Sequence, residues 1–101
     1  MKIYLDDIRD PPDNTWMLFR KAKELMLFIE KYKGEIETLS LDHDLGEGKL
    51  TGYGVLKWIE KKVFLEGYTP PKEILVHSDN PAGRKNMEAA IKSIYKTSPE
   101  I

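Results

Sequence analysis

The residues of this chain best equipped for chemistry all follow apolar runs. "YLDD" places Asp6 and Asp7 after Ile3, Tyr4 and Leu5. "LSLDHDLG" places Asp42, His43 and Asp44 after Leu39 and Leu41, and "VHSDN" places His77, Ser78 and Asn80 after Ile74, Leu75 and Val76. Carboxylates about 4 Å apart near a protein surface repel by on the order of 4 kcal/mol per pair at an effective dielectric near 20. A divalent cation removes that repulsion. The oxygens of Asp6, Asp7 and Asp42, with Asp44 beside them, select a hard ion, Mg²⁺ or Mn²⁺. His43 and His77 are the chain's 2 histidines. Each can serve as a general acid or base near neutral pH or as a zinc ligand, so Zn²⁺ stays open as the alternative ion. The plainer readings are a turn cap for Asp6 or Asp7, a solvated Asp42, an exposed His43 that alternates with Asp42 and Asp44 and so points away from the site, and a partly buried structural His77.

An anion site is outlined at the third cluster. Asn80 and Pro81 read as a helix cap followed by an N1 proline, and the free N–H groups and dipole of a helix start favour negative charge. Arg84 lies one turn further on and can add a bidentate phosphate contact, Ser78 offers a hydroxyl, and Arg9 is a second candidate clamp. The alternatives are ordinary capping with a surface arginine, and a loop salt bridge for Arg9. Serine nucleophilic catalysis has little support: there is no G-x-S-x-G elbow, and Ser78 directly follows His77. "GEGKLTG" has the glycines of a phosphate loop without the Walker or dinucleotide spacing.

The elements that must carry these clusters are short. "KIYLDD", "TWMLFR", "IETLSL" and "EILVH" read as four strands. Pro11 and Pro12 make the segment after the first strand a loop. Ala22, Leu25, Met26, Ile29 and Tyr32 form a helical stripe that Gly34 closes. Thr51 caps a second helix whose Gly52, Leu56, Ile59 and Val63 share a face before Gly67 ends it. Met87, Ala90, Ile91 and Ile94 form the inward stripe of a third. Strands alternating with helices point to an α/β fold with a mostly parallel sheet, in which ligands bind at the carboxyl ends of the strands.

Bulk properties narrow the function classes. The 101 residues suit one domain, 1–101, with 41% hydrophobic and 33% charged residues. No apolar run approaches the roughly 20 residues that span a bilayer, and Asp6, Asp7, Arg9 and Asp10 interrupt any signal-peptide core. With 0 cysteines there is no disulfide frame and no thiolate chemistry, and a cytoplasmic location follows by default. A net charge of −1 argues against an extended nucleic-acid surface and leaves room for a local phosphate site.

"YLDDIRDPP", "LSLDHDLG", "TGYGVLKWIE" and "VHSDNPAGRKNMEAAI" together resemble the cyclic-phosphate processing receiver-like domain, a group derived from the receivers of two-component signalling. The resemblance spans essentially the whole chain. It implies a receiver-like (flavodoxin-like) sheet of about four strands with three helices, and a metal and phosphate site at the strand ends. It also implies metal-dependent processing of cyclic phosphate ends in RNA repair or nucleotide turnover, with a nucleotide or RNA end and an RNA-processing or signalling protein as partners. On it, Asp6, Asp7 and Asp42 match the acidic metal pocket, and His43, Asp44, His77, Ser78, Asn80 and Arg84 match the group's added polar positions. The chain departs from true receivers in lacking a fifth strand with its lysine, a final helix, and the first receiver helix, which the "IRDPPDN" loop replaces. The alternative function is therefore a non-catalytic regulatory or phosphate-binding module.

Overall fold

A computed structural model of the protein describes residues 1–32, 34–45 and 50–97. Its elements run β1 (Lys2–Leu5), β2 (Trp16–Phe19), α1 (Ala22–Tyr32), β3 (Thr38–Leu41), α2 (Gly52–Glu66), β4 (Glu73–Val76) and α3 (Pro81–Thr97). The four strands form one parallel sheet in the order β2-β1-β3-β4. This is the expected α/β receiver-like arrangement, and no fifth strand or fourth helix occurs among the described residues. Residues 46–49 of the "GEGKLTG" loop and residues 98–101 of "TSPEI" lie outside the described residues. No described helix is long and apolar enough to cross a membrane.

Local signals set the helix ends. The Thr51 hydroxyl accepts from the Gly54 N–H at 3.1 Å, and Gly67 closes α2 in the left-handed region at φ 67°. The Asn80 side chain accepts from the Gly83 N–H at 2.9 Å, one residue before the proline that opens α3. Residues 6–15, joining β1 to β2, contain no helix.

Ile3, Leu5, Leu39, Leu41 and Ile74 join Leu25 and Ile29 of α1, Val55, Leu56, Ile59 and Val63 of α2, and Met87, Ala90 and Ile94 of α3 in one core. Because side chains alternate along a strand, all three helices therefore cover a single face of the sheet. Tyr32 departs from its expected place: it is an exposed residue stacked on Phe28. β3 is buried on both faces, so Thr38 and Ser40 are buried too, although only Leu39 and Leu41 face the helices.

The opposite face carries no helix among the described elements, and an aromatic row covers it. Lys2 lies over Trp16, Trp16 meets Tyr4 edge-on at 5.7 Å, and Tyr4 stacks on the His77 imidazole at 4.1 Å with the rings 6° from parallel. Small Ser40 on β3, between Tyr4 and β4, leaves room for the imidazole to lie across the sheet. At the far end of the molecule the Tyr95 hydroxyl donates to the Pro71 carbonyl, tying α3 to the start of β4.

Candidate functional site

The strand register decides where the polar clusters meet. Leu5 is paired with Phe19 and Leu41, and Leu41 with Val76, so all four strands end in one row. The ladder continues one residue further: Asp6 N–H donates to Phe19 O at 3.1 Å, Asp42 N–H to Leu5 O at 3.0 Å and His77 N–H to Leu41 O at 3.0 Å. Asp6, Asp42 and His77 are thereby fixed on one rim by main-chain bonds. Carboxylate oxygens of Asp6, Asp7 and Asp42 lie within 4.8 Å of one another.

Asp6 is the anchor of the group, only 1% exposed. Its Oδ1 accepts the N–H groups of Ile8 and Arg9 at 2.9 and 2.8 Å, which folds the chain into a tight turn after β1. Its Oδ2 meets Nε2 of His77 at 3.1 Å, and Nδ1 of the same ring meets the Ser40 hydroxyl at 2.7 Å. Burial pushes the His77 imidazole below its ordinary range, against the opposite pull of Asp6 and Asp42. In the neutral ring the acceptor-only Asp6 carboxylate takes the Nε2–H, and the Ser40 hydroxyl donates to Nδ1. Both nitrogens are engaged inside the protein, so His77 orients Asp6.

Asp42 is half-buried, and its Oδ1 accepts the His43 N–H at 2.8 Å. Burial, followed by the neighbouring Asp6, holds its carboxyl above the usual carboxylate range. Asp7 has no hydrogen-bond partner among the described residues. The basin above these groups is lined by Asp6, Asp7, Ile8, Arg9, Asp42, Asp44 and Asp79. Five carboxylates face one arginine, and that arginine is occupied: its guanidinium donates to the His77 carbonyl and pairs with Asp79.

The other sequence-derived candidates stand around the basin. Asp44 lines it but is outside the close trio, pairing with His43 Nδ1 at 2.9 Å, and that bond holds its carboxyl below the usual range. His43 lies flat on Gly83 at the start of α3, where an added Cβ would meet the ring at 2.5 Å. Ser78 is buried and accepts from the Asn80 N–H at 3.1 Å, while Asn80 caps α3. Arg84 reaches the Ser78 carbonyl at 3.5 Å and Glu88 at 3.5 Å. Neither Ser78, Asn80 nor Arg84 lines the basin.

Four participants escaped the sequence reading: Ser40, Arg20, Asp79 and Ile8. Arg20, just past β2, donates to the carbonyls of Asp6 and Arg9 at 3.4 and 2.7 Å and to the Asp10 carboxylate at 2.7 Å, bracing the loop that carries the aspartates. Its signal was available, since it is a fourth polar residue at a strand end. Ser40 carried no such signal, because its role depends on what lies across the sheet.

The donor set bears on the choice of ion. About 2.1 Å per Mg–O bond places ligand oxygens at most about 4.2 Å apart, so the trio needs only a small adjustment of its side chains. Among the described residues the trio is an all-oxygen set, of the kind that suits Mg²⁺ or Mn²⁺. Ser40→Ala tests the bracing of that set. Removing the hydroxyl leaves the buried Nδ1 without its partner, at about 1–2 kcal/mol, and frees the ring to release Asp6. A loss of ligand support of this kind typically weakens metal binding by about 10–100-fold. Calorimetric Mn²⁺ titration should show a weakening of that order. Unchanged affinity in Ser40→Ala would remove His77 from the positioning role.

A family model described as the cyclic-phosphate processing receiver domain matches residues 1–93. No curated protein and no solved structure matches the chain.

Proposed function

The chain belongs to the cyclic-phosphate processing receiver family, and from that premise we propose that it is a metal-dependent phosphoesterase acting on cyclic phosphate ends of RNA or nucleotides. The observation that carries the reading is charge. Five carboxylates and one engaged arginine make a basin that repels a phosphate; a divalent cation on Asp6, Asp7 and Asp42 would halve that negative charge and offer a phosphate oxygen a direct coordination position. A bound Mg²⁺ or Mn²⁺ would supply Lewis-acid stabilisation of a phosphate oxygen and a nucleophilic water.

The chain's own residues do the positioning. His77 and the Ile8 and Arg9 N–H groups hold Asp6 in place. Asp7 is free to take a ligand on the open side. Arg9, at the rim, can exchange Asp79 for a phosphate oxygen, a charge-assisted contact of the same geometry. Asp44 is the carboxylate best placed to accept a proton from water, because it lines the basin outside the trio.

One observation favours a second reading, a phosphate-binding regulatory module without turnover. Neither histidine is free in the basin: His77 is bonded at both nitrogens, and His43 packs on Gly83. The deciding experiment is hydrolysis of a 2′,3′-cyclic nucleotide with Mg²⁺ or Mn²⁺, and again with chelator. Metal-dependent product is expected. Metal binding without product would establish the regulatory reading instead.

A further inference from the structure

One flank of α1 carries a second, short stripe beside the buried one. Lys23, Met26, Leu27 and Glu30 lie at i, i+3, i+4 and i+7, the spacing of a single helix side. With Trp58 of α2 they line a groove of about 300 Å³ between the two helices. Leu65, two turns after Trp58, shares its side of α2. Leu27 is 63% exposed and Leu65 66% exposed, and Met26 and Trp58 are only partly buried against the core. Apolar side chains gathered this openly on one surface mark a place where another molecule sits.

Charge at the two ends of the groove identifies the molecule that fits it. Lys23, at one end, pairs with no acidic group among the described residues. Glu30, at the other, accepts from Lys62 Nζ at 2.7 Å, and the same ammonium reaches Glu66 at 3.0 Å. One cation between two carboxylates leaves that end with a net negative charge. The Lys62 ammonium is buried and lies 5.1 Å from the centre of the Trp58 ring, so Glu30 and Trp58 are held in place before anything binds. The stripe therefore reads cation, apolar, apolar, anion, and an identical stripe laid against it antiparallel is its complement. About a two-fold axis, position 23 of each copy faces position 30 of the other, and position 26 faces position 27. That self-matching is the property of an isologous interface.

We propose that this flank of α1, with the groove against α2, is an interface between two copies of the chain. Lys23 of each copy pairs with Glu30 of the other, and Leu27 of each enters the other's groove beside Met26 and Trp58. The 11 residues of α1 give about 16 Å of helix at about 1.5 Å per residue. A contact of that length belongs to the weak, concentration-dependent class, with a dissociation constant on the order of 100 µM. The groove shares no residue with the acidic basin, so pairing through it leaves the basin open.

The test is sedimentation velocity over a concentration series of the parent chain and of Leu27→Glu, Lys23→Glu and Glu30→Lys. The parent should pass from monomer to dimer at concentrations on the order of 100 µM. Leu27→Glu changes an exposed side chain, so it should fold as the parent does and stay monomeric. Lys23→Glu and Glu30→Lys each set two like-charged pairs across the axis in place of two opposite ones, and each should weaken self-association by about tenfold. Mixed in equal amounts, these two charge variants regain both pairs and should associate with each other about as well as the parent does with itself. A parent that stays monomeric up to about 1 mM overturns the proposal and leaves the groove to a different protein. A dimer that Leu27→Glu does not weaken lies on another face and overturns it as well, and charge variants with no preference for each other refute the antiparallel pairing. Should Glu30→Lys melt early because Lys62 has lost a partner, Leu27→Glu and Lys23→Glu decide the matter between them.

Discussion

Asp42→Asn is expected to abolish divalent-metal binding and all metal-dependent turnover while leaving the metal-free protein as stable as the parent, or more stable. Asparagine keeps the oxygen that accepts the His43 N–H but removes a half-buried negative charge beside Asp6. That charge is unfavourable without a cation: burial and Asp6 both push the Asp42 carboxyl up. A carboxyl raised in the folded state contributes stability that is fully present below its unfolded value and is lost as pH rises through the folded one. The metal-free parent should therefore gain stability from this group as the pH falls into the carboxylate range, and Asp42→Asn should flatten that dependence. The proton also competes with the metal, so metal affinity in the parent should begin to weaken at a pH above the usual carboxylate range.

The size of the effect follows from linkage. A ligand at 100 times its dissociation constant stabilises the folded state by about 2.7 kcal/mol, or roughly 10–20 °C in Tm for a domain of this size. Saturating Mn²⁺ should raise the melting temperature of the parent by that amount and leave Asp42→Asn unmoved. A metal-induced shift of equal size in the variant would show that Asp42 is not a ligand.

Gly52→Ala is expected to be the most damaging single methyl group in the protein. Gly52 is the first residue of α2, and its N–H donates to the His43 carbonyl at 2.9 Å. A Cβ there would lie 2.0 Å from the Asp42 carbonyl oxygen and 2.8 Å from Cε of Met87. The methionine can swing aside, but the carbonyl belongs to the backbone that presents Asp42. Either α2 or the strand end must move. Overpacking of a tight interior costs about 1–3 kcal/mol, and a fixed main-chain clash places this change at the upper end, about 12 °C or more in Tm. Metal affinity should fall with it although no ligand is altered.

Gly54→Ala is the built-in comparison. A Cβ there meets only Leu50 Cδ2 at 3.6 Å and Thr51 Oγ1 at 3.7 Å, ordinary contacts, so the change should stabilise α2 by up to about 1 kcal/mol through helix propensity alone. If the two variants melt alike, the close approach of α2 to Asp42 is not what Gly52 is for.

Much of this architecture is legible in short windows of sequence. Thr51, Gly67, Asn80 and Pro81 act within a few residues of themselves, and each does so here as a cap or helix start. The apolar stripes of the three helices, Tyr32 apart, locate the core because a helix repeats its face every three or four residues. The placement of Asp6, Asp42 and His77 at strand ends follows from the same local reading, once parallel pairing lines those ends up. Chain-local signals could not show where the side chains at those ends would turn. His77 reads equally well as a catalytic base or a structural residue. Its partners Asp6 and Ser40 lie 71 and 37 residues away, and the small Ser40, between Tyr4 and β4, leaves the space that the ring occupies. Nothing near Arg9 in the chain shows that Asp79, 70 residues on, would pair with it.

The amino-acid sequence by itself therefore determined the order and kind of the elements, the core stripes and the rim on which the acidic groups gather, because those depend on backbone preferences and short-range periodicity. Tertiary structure alone decided which groups stay open to a ligand and which are used up by neighbours. Hydrogen-bond partners and steric room across a sheet depend on strands that meet only when the chain has folded.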